Sequence, residues 1–235
     1  MTCANIVNDS SVKKQLAQTS VFSHLDPGEI DALFHSGSQR HYDSEEWVVH
    51  QGDTWPYLLY IIRGEIHALK ESTEGRSLHL ETIHGGEIFW GVAFFLDDSP
   101  MPAGLMAAQD CDLLVWSKDR LTPLINRNSR LSWELACAMM RRAQRASEIV
   151  EELAFFPVAS RLANLLLEKY KGASGDTIAR DLTLEEMAAR IGTKREMVCR
   201  LLYRFAEVGL IQINRTEFVI TDPEGLEAYT HKMKG

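Results

Sequence analysis

Arg195, Glu196 and Arg200 are the side chains in this sequence best suited to chemistry, and the chemistry is recognition. An arginine can donate two parallel hydrogen bonds to guanine O6 and N7, and a glutamate can accept one from cytosine N4. Take a helix at about 100° per residue with Arg195 at zero. Arg195, Glu196, Cys199, Arg200 and Tyr203 then fall between roughly 0° and 140°, and Met197, Val198, Leu201, Leu202 and Phe205 between roughly 200° and 340°. A solvated surface helix segregates in the same way. It does not usually set two arginines around a glutamate near its N-terminus, where a helix can enter a major groove.

The elements around this trio fit that use. Thr183-x-x-Glu186 is a capping box that opens a short helix through Met187 and Ala188, and Gly192 breaks it. Thr193-x-x-Glu196 reads as a second capping box ten residues after the first. Two helices joined by a short turn containing glycine predict a helix-turn-helix. Beyond it, Gly209–Ile220 predicts two short strands around a turn at Asn214–Glu217, a wing that brings Arg215 to a phosphate. The expected DNA contacts are Thr193, Lys194, Arg195, Glu196, Cys199, Arg200 and Arg215. Oxidation of Cys199 on this face would interfere with binding, although an ordinary thiol is the plainer expectation. A helical hairpin used for protein contacts is the alternative.

The chain has 25 Lys and Arg against 33 Asp and Glu, a net charge of −8 that looks wrong for a nucleic-acid binder. The charge is unevenly spread. Up to Leu153 there are 13 basic and 22 acidic residues, and after it 12 and 11. Between Arg190 and Arg215 six basic residues face two acidic ones, a local +4. Global acidity can therefore hide a basic face, and an acidic remainder near DNA predicts steep salt dependence and strict half-site spacing.

From about Gln39 to Ser117 short β-branched and aromatic runs (Trp47–His50, Tyr57–Ile62, Glu65–Leu69, Leu78–Ile83, Leu113–Trp116) alternate with turns such as Gln51-Gly-Asp and His84-Gly-Gly. This predicts a jelly-roll sandwich or barrel. Asp26-Pro-Gly-Glu before it is a helix start. From Asn126 to Phe156 there is no Gly or Pro, and Leu131, Leu135, Ala138, Arg142, Ile149 and Leu153 recur every three or four residues. They predict a helix near 40 Å long at ~1.5 Å per residue, with a two-stranded dimer seam along that stripe. An intramolecular connector is the alternative. Another helix is expected over Val158–Tyr170. The fold class is α+β. Its parts are a β-roll, cyclic-nucleotide-binding-like sensor at 1-122, a dimerisation helix at 123-155 and a winged helix-turn-helix at 156-235.

Several classes are disfavoured. No run approaches the ~18 apolar residues of a membrane span, and no signal peptide opens the chain, so a cytoplasmic location without membrane partners is expected. The four cysteines, Cys3, Cys111, Cys137 and Cys199, contain no C-x-x-C pair. No nucleophile elbow, phosphate-binding Gly loop or metal-ligand cluster appears, so neither an enzyme nor a metal site is expected. A regulatory module acting on a protein partner remains a competing class.

His50-Gln-Gly-Asp, Tyr60-Ile-Ile-Arg-Gly-Glu, Glu74-Gly-Arg, Gly86-Glu-Ile, Leu153-Ala-Phe-Phe and Thr193-Lys-Arg-Glu-Met-Val-Cys-Arg resemble the CRP/FNR superfamily of bacterial transcription regulators over nearly the whole chain. The resemblance implies a homodimer on a palindromic operator, RNA polymerase as a partner, and Arg195, Glu196 and Arg200 as base readers of a GTGA-like half-site core. The sensor departs from the cyclic-AMP branch. That branch holds ribose with Gly-Glu and the cyclic phosphate with Arg-Ser, where this chain has Trp90-Gly91 and Met101-Pro102. A methionine supplies no charge, and proline removes a donor. The pair that touches adenine stands here as Ala146-Ser147. Cyclic nucleotide in the usual mode is thus disfavoured. An iron–sulfur cluster is disfavoured too, because only Cys3 lies near the N-terminus.

The effector pocket is assigned to Phe89, Trp90, Gly91, Met101, Pro102 and Ser147, within an apolar stretch that includes Val92, Phe94, Phe95, Leu105 and Met106. A filled core without ligand, an unknown small organic effector and a haem all remain open. Phe95-Leu-Asp-Asp-Ser-Pro also resembles DNR-type regulators that respond to nitrogen oxides, and eight histidines could supply iron ligands, none of them marked by spacing.

Overall fold

The computed structural model describes residues 8–169, 178–179, 182–213 and 217–230. In chain order the elements begin with α1 (Asp9–Gln18), α2 (Pro27–Ser36), β1 (Ser38–Tyr42), β2 (Trp47–Val49), β3 (Tyr57–Arg63), β4 (Glu65–Glu71) and β5 (Ser77–His84). There follow β6 (Ile88–Trp90), α3 (Val92–Phe95), β7 (Gly104–Ala107), β8 (Cys111–Ser117), α4 (Lys118–Arg127), α5 (Ser129–Phe155) and α6 (Val158–Lys169). The C-terminal part holds β9 (Ile178–Ala179), α7 (Leu184–Arg190), α8 (Arg195–Glu207), β10 (Ile211–Ile213), β11 (Glu217–Ile220) and α9 (Pro223–Thr230).

Chain packing divides the molecule into two compact units. One holds the residues up to Lys70 together with Glu81–Gln144, the other Glu71–Leu80 and everything from Arg145 onward. The division therefore falls inside α5, and a short piece of the β4–β5 hairpin groups with the C-terminal unit.

The sensor is a β-roll of two four-stranded sheets, ordered β1-β8-β3-β6 and β2-β7-β4-β5, with the described pairings antiparallel. β3 and β8 are central, in register at Leu59–Val115 and Ile61–Leu113, and nearly every side chain on them is buried. That explains why they read as continuous apolar runs: both faces are covered, so no polar alternation survives. α2 starts where the sequence predicts. Asp26 accepts from the Glu29 amide, and the Glu29 carboxylate accepts from the Asp26 amide. Trp116 is fully buried, and its indole N–H donates to the Leu33 carbonyl at 2.8 Å, so a large aromatic packs without stranding its one donor.

The second core is built by α6, α7, α8, β10 and α9 around Leu162, Leu166, Met187, Val198 and Phe205. β10 pairs β11, which also pairs β9, giving the three-stranded wing sheet. Arg161, 7% exposed at the start of α6, donates through Nη1 to the carbonyls of Glu152, Leu153 and Phe156 at 3.1–3.3 Å. One guanidinium thus meets three carbonyls where α5 stops, of which that of Glu152 also accepts from the Phe156 amide.

Candidate nucleic-acid interface and sensor site

α7 opens on the predicted capping box: Thr183 Oγ1 accepts from the Glu186 amide, and Glu186 accepts from the Thr183 amide. It closes at Gly192, whose φ of +62° lies in the left-handed region. The second box does not form. The Thr193 amide donates to the Ala188 carbonyl at 2.9 Å, and the N-cap of α8 is Lys194, with no side-chain cap bond. The turn needs Thr193, so the helix begins one residue later than the spacing implies.

On α8 the two faces separate as projected. Val198, Leu201, Leu202 and Phe205 are buried in the core, Met197 and Cys199 are half-buried, and Arg195, Glu196, Arg200 and Tyr203 are exposed. Lys194 is exposed and Thr193 half-buried, while Arg215 lies outside the described residues. The structure adds a partner that no periodicity signals. Arg195 Nε sits 3.0 Å from Glu185 Oε1, both side chains more than half exposed, so the leading base-reading candidate is held by α7. Arg200 rests on the Met197 sulfur at 3.0 Å. In the same unit the Glu74–Ser77 turn and the segment Thr193–Glu196 line an open cavity of about 380 Å³.

The predicted dimer stripe is corrected for its first half. Leu131 and Leu135 are 2% and 3% exposed in the sensor core, and Ala138 packs against that core. Arg142 continues the same face inward. Its Nε donates to Glu81 at 3.0 Å, its Nη2 donates to the Ile88 carbonyl at 2.9 Å, and its guanidinium lies over the rings of Phe89 and Trp90 at 4.2 and 4.4 Å. Burial holds the Arg142 pKa below the usual arginine value, with Glu81 opposing that shift. Ile149 and Leu153 are half-buried, and the latter reaches the backbone at Gly192. What α5 leaves exposed is another stripe, Trp133 (69%), Met140 (63%) and Val150 (66%).

The residues of the expected effector pocket stand in different surroundings. Met101 is 2% exposed and exchanges backbone hydrogen bonds with Gly52 and Asp53, so it belongs to a turn and the core. Pro102 and Ser147 are exposed. Gly91 is needed for close approach, since a Cβ there would lie 1.8 Å from the Trp55 carbonyl oxygen. Phe94 and Leu105 fill the core. Phe89 and Trp90 do stand together, half-buried, beside Arg142.

The described histidines named next are engaged elsewhere. His41 Nδ1 meets Asp112 at 2.8 Å, His67 and His84 meet Glu65, His24 faces Glu134, and the His50 ring lies tilted against Trp47. Among the described residues no group of three or more His, Cys, Asp or Glu could hold a metal ion, and no helix is long and apolar enough to cross a membrane.

Two family profiles match, the cyclic nucleotide-binding domain over residues 39–128 and the Crp-like helix-turn-helix domain over residues 160–229. The chain is 28% identical over 183 residues to the cAMP-activated global transcriptional regulator CRP of Escherichia coli O6:H1, covering 76% of this chain and 87% of that one. Its fold is similar to that of a putative CRP/FNR-family regulator from Eubacterium rectale (TM-score 0.75, 20% identity, 90% and 98% of the two chains). It is similar as well to the c-di-GMP responsive regulator CLP of Xanthomonas campestris (TM-score 0.73, 22% identity, 83% and 99%). CRP-family regulators bind DNA and function as dimers. A β-roll of cyclic-nucleotide-binding type, one long helix and a Crp-like helix-turn-helix follow one another in this chain, an arrangement consistent with a transcription regulator of the CRP/FNR superfamily.

Proposed function

We propose that the protein is a homodimeric, sequence-specific regulator that places α8 of each copy in a major groove and reads a palindromic operator with Arg195, Glu196 and Arg200. The observation that carries this reading is the exposed polar face of α8: a base-reading trio points away from the core while the apolar residues of the same helix are buried. Lys194, Thr193, Cys199 and Arg215 complete the contact set. We assign the seam between copies to Trp133, Met140 and Val150, because Leu131, Leu135 and Arg142 are already used inside the sensor. RNA polymerase is the further partner expected of such a regulator.

The sensor responds to an effector other than a cyclic nucleotide. Met101 and Pro102 offer a phosphate neither charge nor an extra donor, and the relatives named above differ in effector, cAMP for CRP and c-di-GMP for CLP. Haem is not favoured. The side chains that meet at Arg142 are Glu81, Phe89 and Trp90, none of them an iron ligand of haem type, and the histidines above are held by other partners.

Selection of bound duplexes from a random pool, combined with sedimentation, tests the proposal. A palindrome with GTGA-like half-sites bound by a dimer is the expected result, and the double substitution Trp133→Glu, Met140→Glu should give monomers that lose the operator. Enrichment of no sequence would overturn sequence-specific binding, and a double variant that stays dimeric would overturn the seam.

A further inference from the structure

Arg142 has one donor too many. Nε is on Glu81 and Nη2 on the Ile88 carbonyl, whereas Nη1 is buried with no hydrogen-bond partner. A buried donor without an acceptor is costly, and native proteins seldom leave one unless something else meets it. The surroundings say what could. The guanidinium lies over Phe89 and Trp90, and both rings are half-buried, so an apolar wall stands beside the orphan N–H. Charge then selects among acceptors. Glu81 neutralises Arg142 directly, and Glu87 is close enough to act on it electrostatically, so the cluster carries one negative charge in excess before any ligand arrives. An incoming anion would have to expel Glu81 or face two carboxylates. A neutral carbonyl or amide oxygen meets neither obstacle.

We infer that the sensor's effector site is centred on Nη1 of Arg142 and takes an uncharged small molecule that combines a flat apolar body with a carbonyl-type oxygen. This rests on the proposed effector-controlled sensor and names the ligand class for it. The carbonyl accepts from Nη1 while the flat body lies against Phe89 and Trp90. Glu81 acts as the gate against anions, since it occupies the edge of the guanidinium that a carboxylate or phosphate would otherwise claim. A satisfied Nη1 is worth on the order of ten-fold in affinity.

The isosteric probes 4-fluorobenzamide and 4-fluorobenzoate, followed by fluorine NMR line broadening on the full chain, separate the outcomes. In the wild type the benzamide should broaden at millimolar concentration and the benzoate should not. Arg142→Met, with folding checked by circular dichroism, should abolish benzamide binding. Glu81→Gln leaves the arginine in place and should raise benzoate affinity about ten-fold. A wild-type preference for benzoate, silence of both probes, or benzamide binding that survives Arg142→Met would each overturn the inference. Control of DNA binding is judged separately, by operator affinity with and without saturating benzamide. Probe binding as expected with unchanged operator affinity supports the site and overturns its role in regulation.

Discussion

Replacing Arg195 with alanine should reduce operator binding far more than binding to random DNA, and the size of the difference follows from its neighbour. In the free protein Arg195 is paired with Glu185 at 3.0 Å, with 60% and 65% of the two side chains exposed. Ion pairs this exposed contribute about 0–1 kcal/mol, which binding must give up. A bidentate arginine on guanine discriminates by about 1–3 kcal/mol. The net spans about 0–3 kcal/mol per half-site; its midpoint gives about 3 kcal/mol for a dimer on a palindrome, a loss on the order of 100-fold. Glu185→Gln should act in the opposite sense, tightening the operator by up to about five-fold per half-site. In that background Arg195→Ala should cost the full discrimination, because no pair remains to be broken. Fluorescence anisotropy at one fixed salt concentration gives the test, using the selected operator, the same duplex with the contacted base pair replaced in both halves, and a random duplex. Equal loss of affinity for all three would show that Arg195 acts as a phosphate contact, and a neutral Glu185→Gln would show that α7 does not restrain it.

Arg161→Met removes three carbonyl acceptor contacts at the end of α5 and should lower the stability of the C-terminal unit by about 2–4 kcal/mol; a urea transition moved by less than about 0.5 kcal/mol would contradict the capping role. Gly91→Ala should cost about 3 kcal/mol or more by calorimetry, since its Cβ would fall 1.8 Å from a backbone oxygen that cannot swing aside, and a neutral result would refute that contact. The hydrogen bond that His41 donates to Asp112 raises the pKa of His41 above its ordinary value, with Asp43 adding to it. A raised folded pKa means that the stabilising increment is complete below about pH 6.5 and is lost as pH climbs through the folded value. The melting-temperature gap between wild type and His41→Asn should therefore shrink from pH 5.5 to pH 8.5, and a constant gap would argue against the His41–Asp112 pair as its source.

Local features were legible without coordinates. The Asp26 helix start, the Thr183 capping box, the Gly192 break and the two faces of α8 each depend on residues within a turn or two of one another, and each stands where spacing puts it. Thr193 shows the limit even at short range, because its amide is claimed by Ala188 and the helix has to start after it. Spacing along α5 predicts a dimer seam on the stripe of Leu131, Leu135, Ala138 and Arg142, but periodicity reports that a face is covered and not what covers it. Only the tertiary structure could answer, by bringing Glu81, Ile88, Phe89 and Trp90, all more than fifty residues away, against Arg142. That same packing left Trp133 and Met140 as the free stripe. The sequence by itself determined the element types and the exposed polar face of α8, because helix caps, turns and amphipathic faces are short-range properties of the chain. Which face of α5 meets the sensor, and that Arg142 Nη1 is buried there without a partner, depended on long-range contacts that no local spacing encodes.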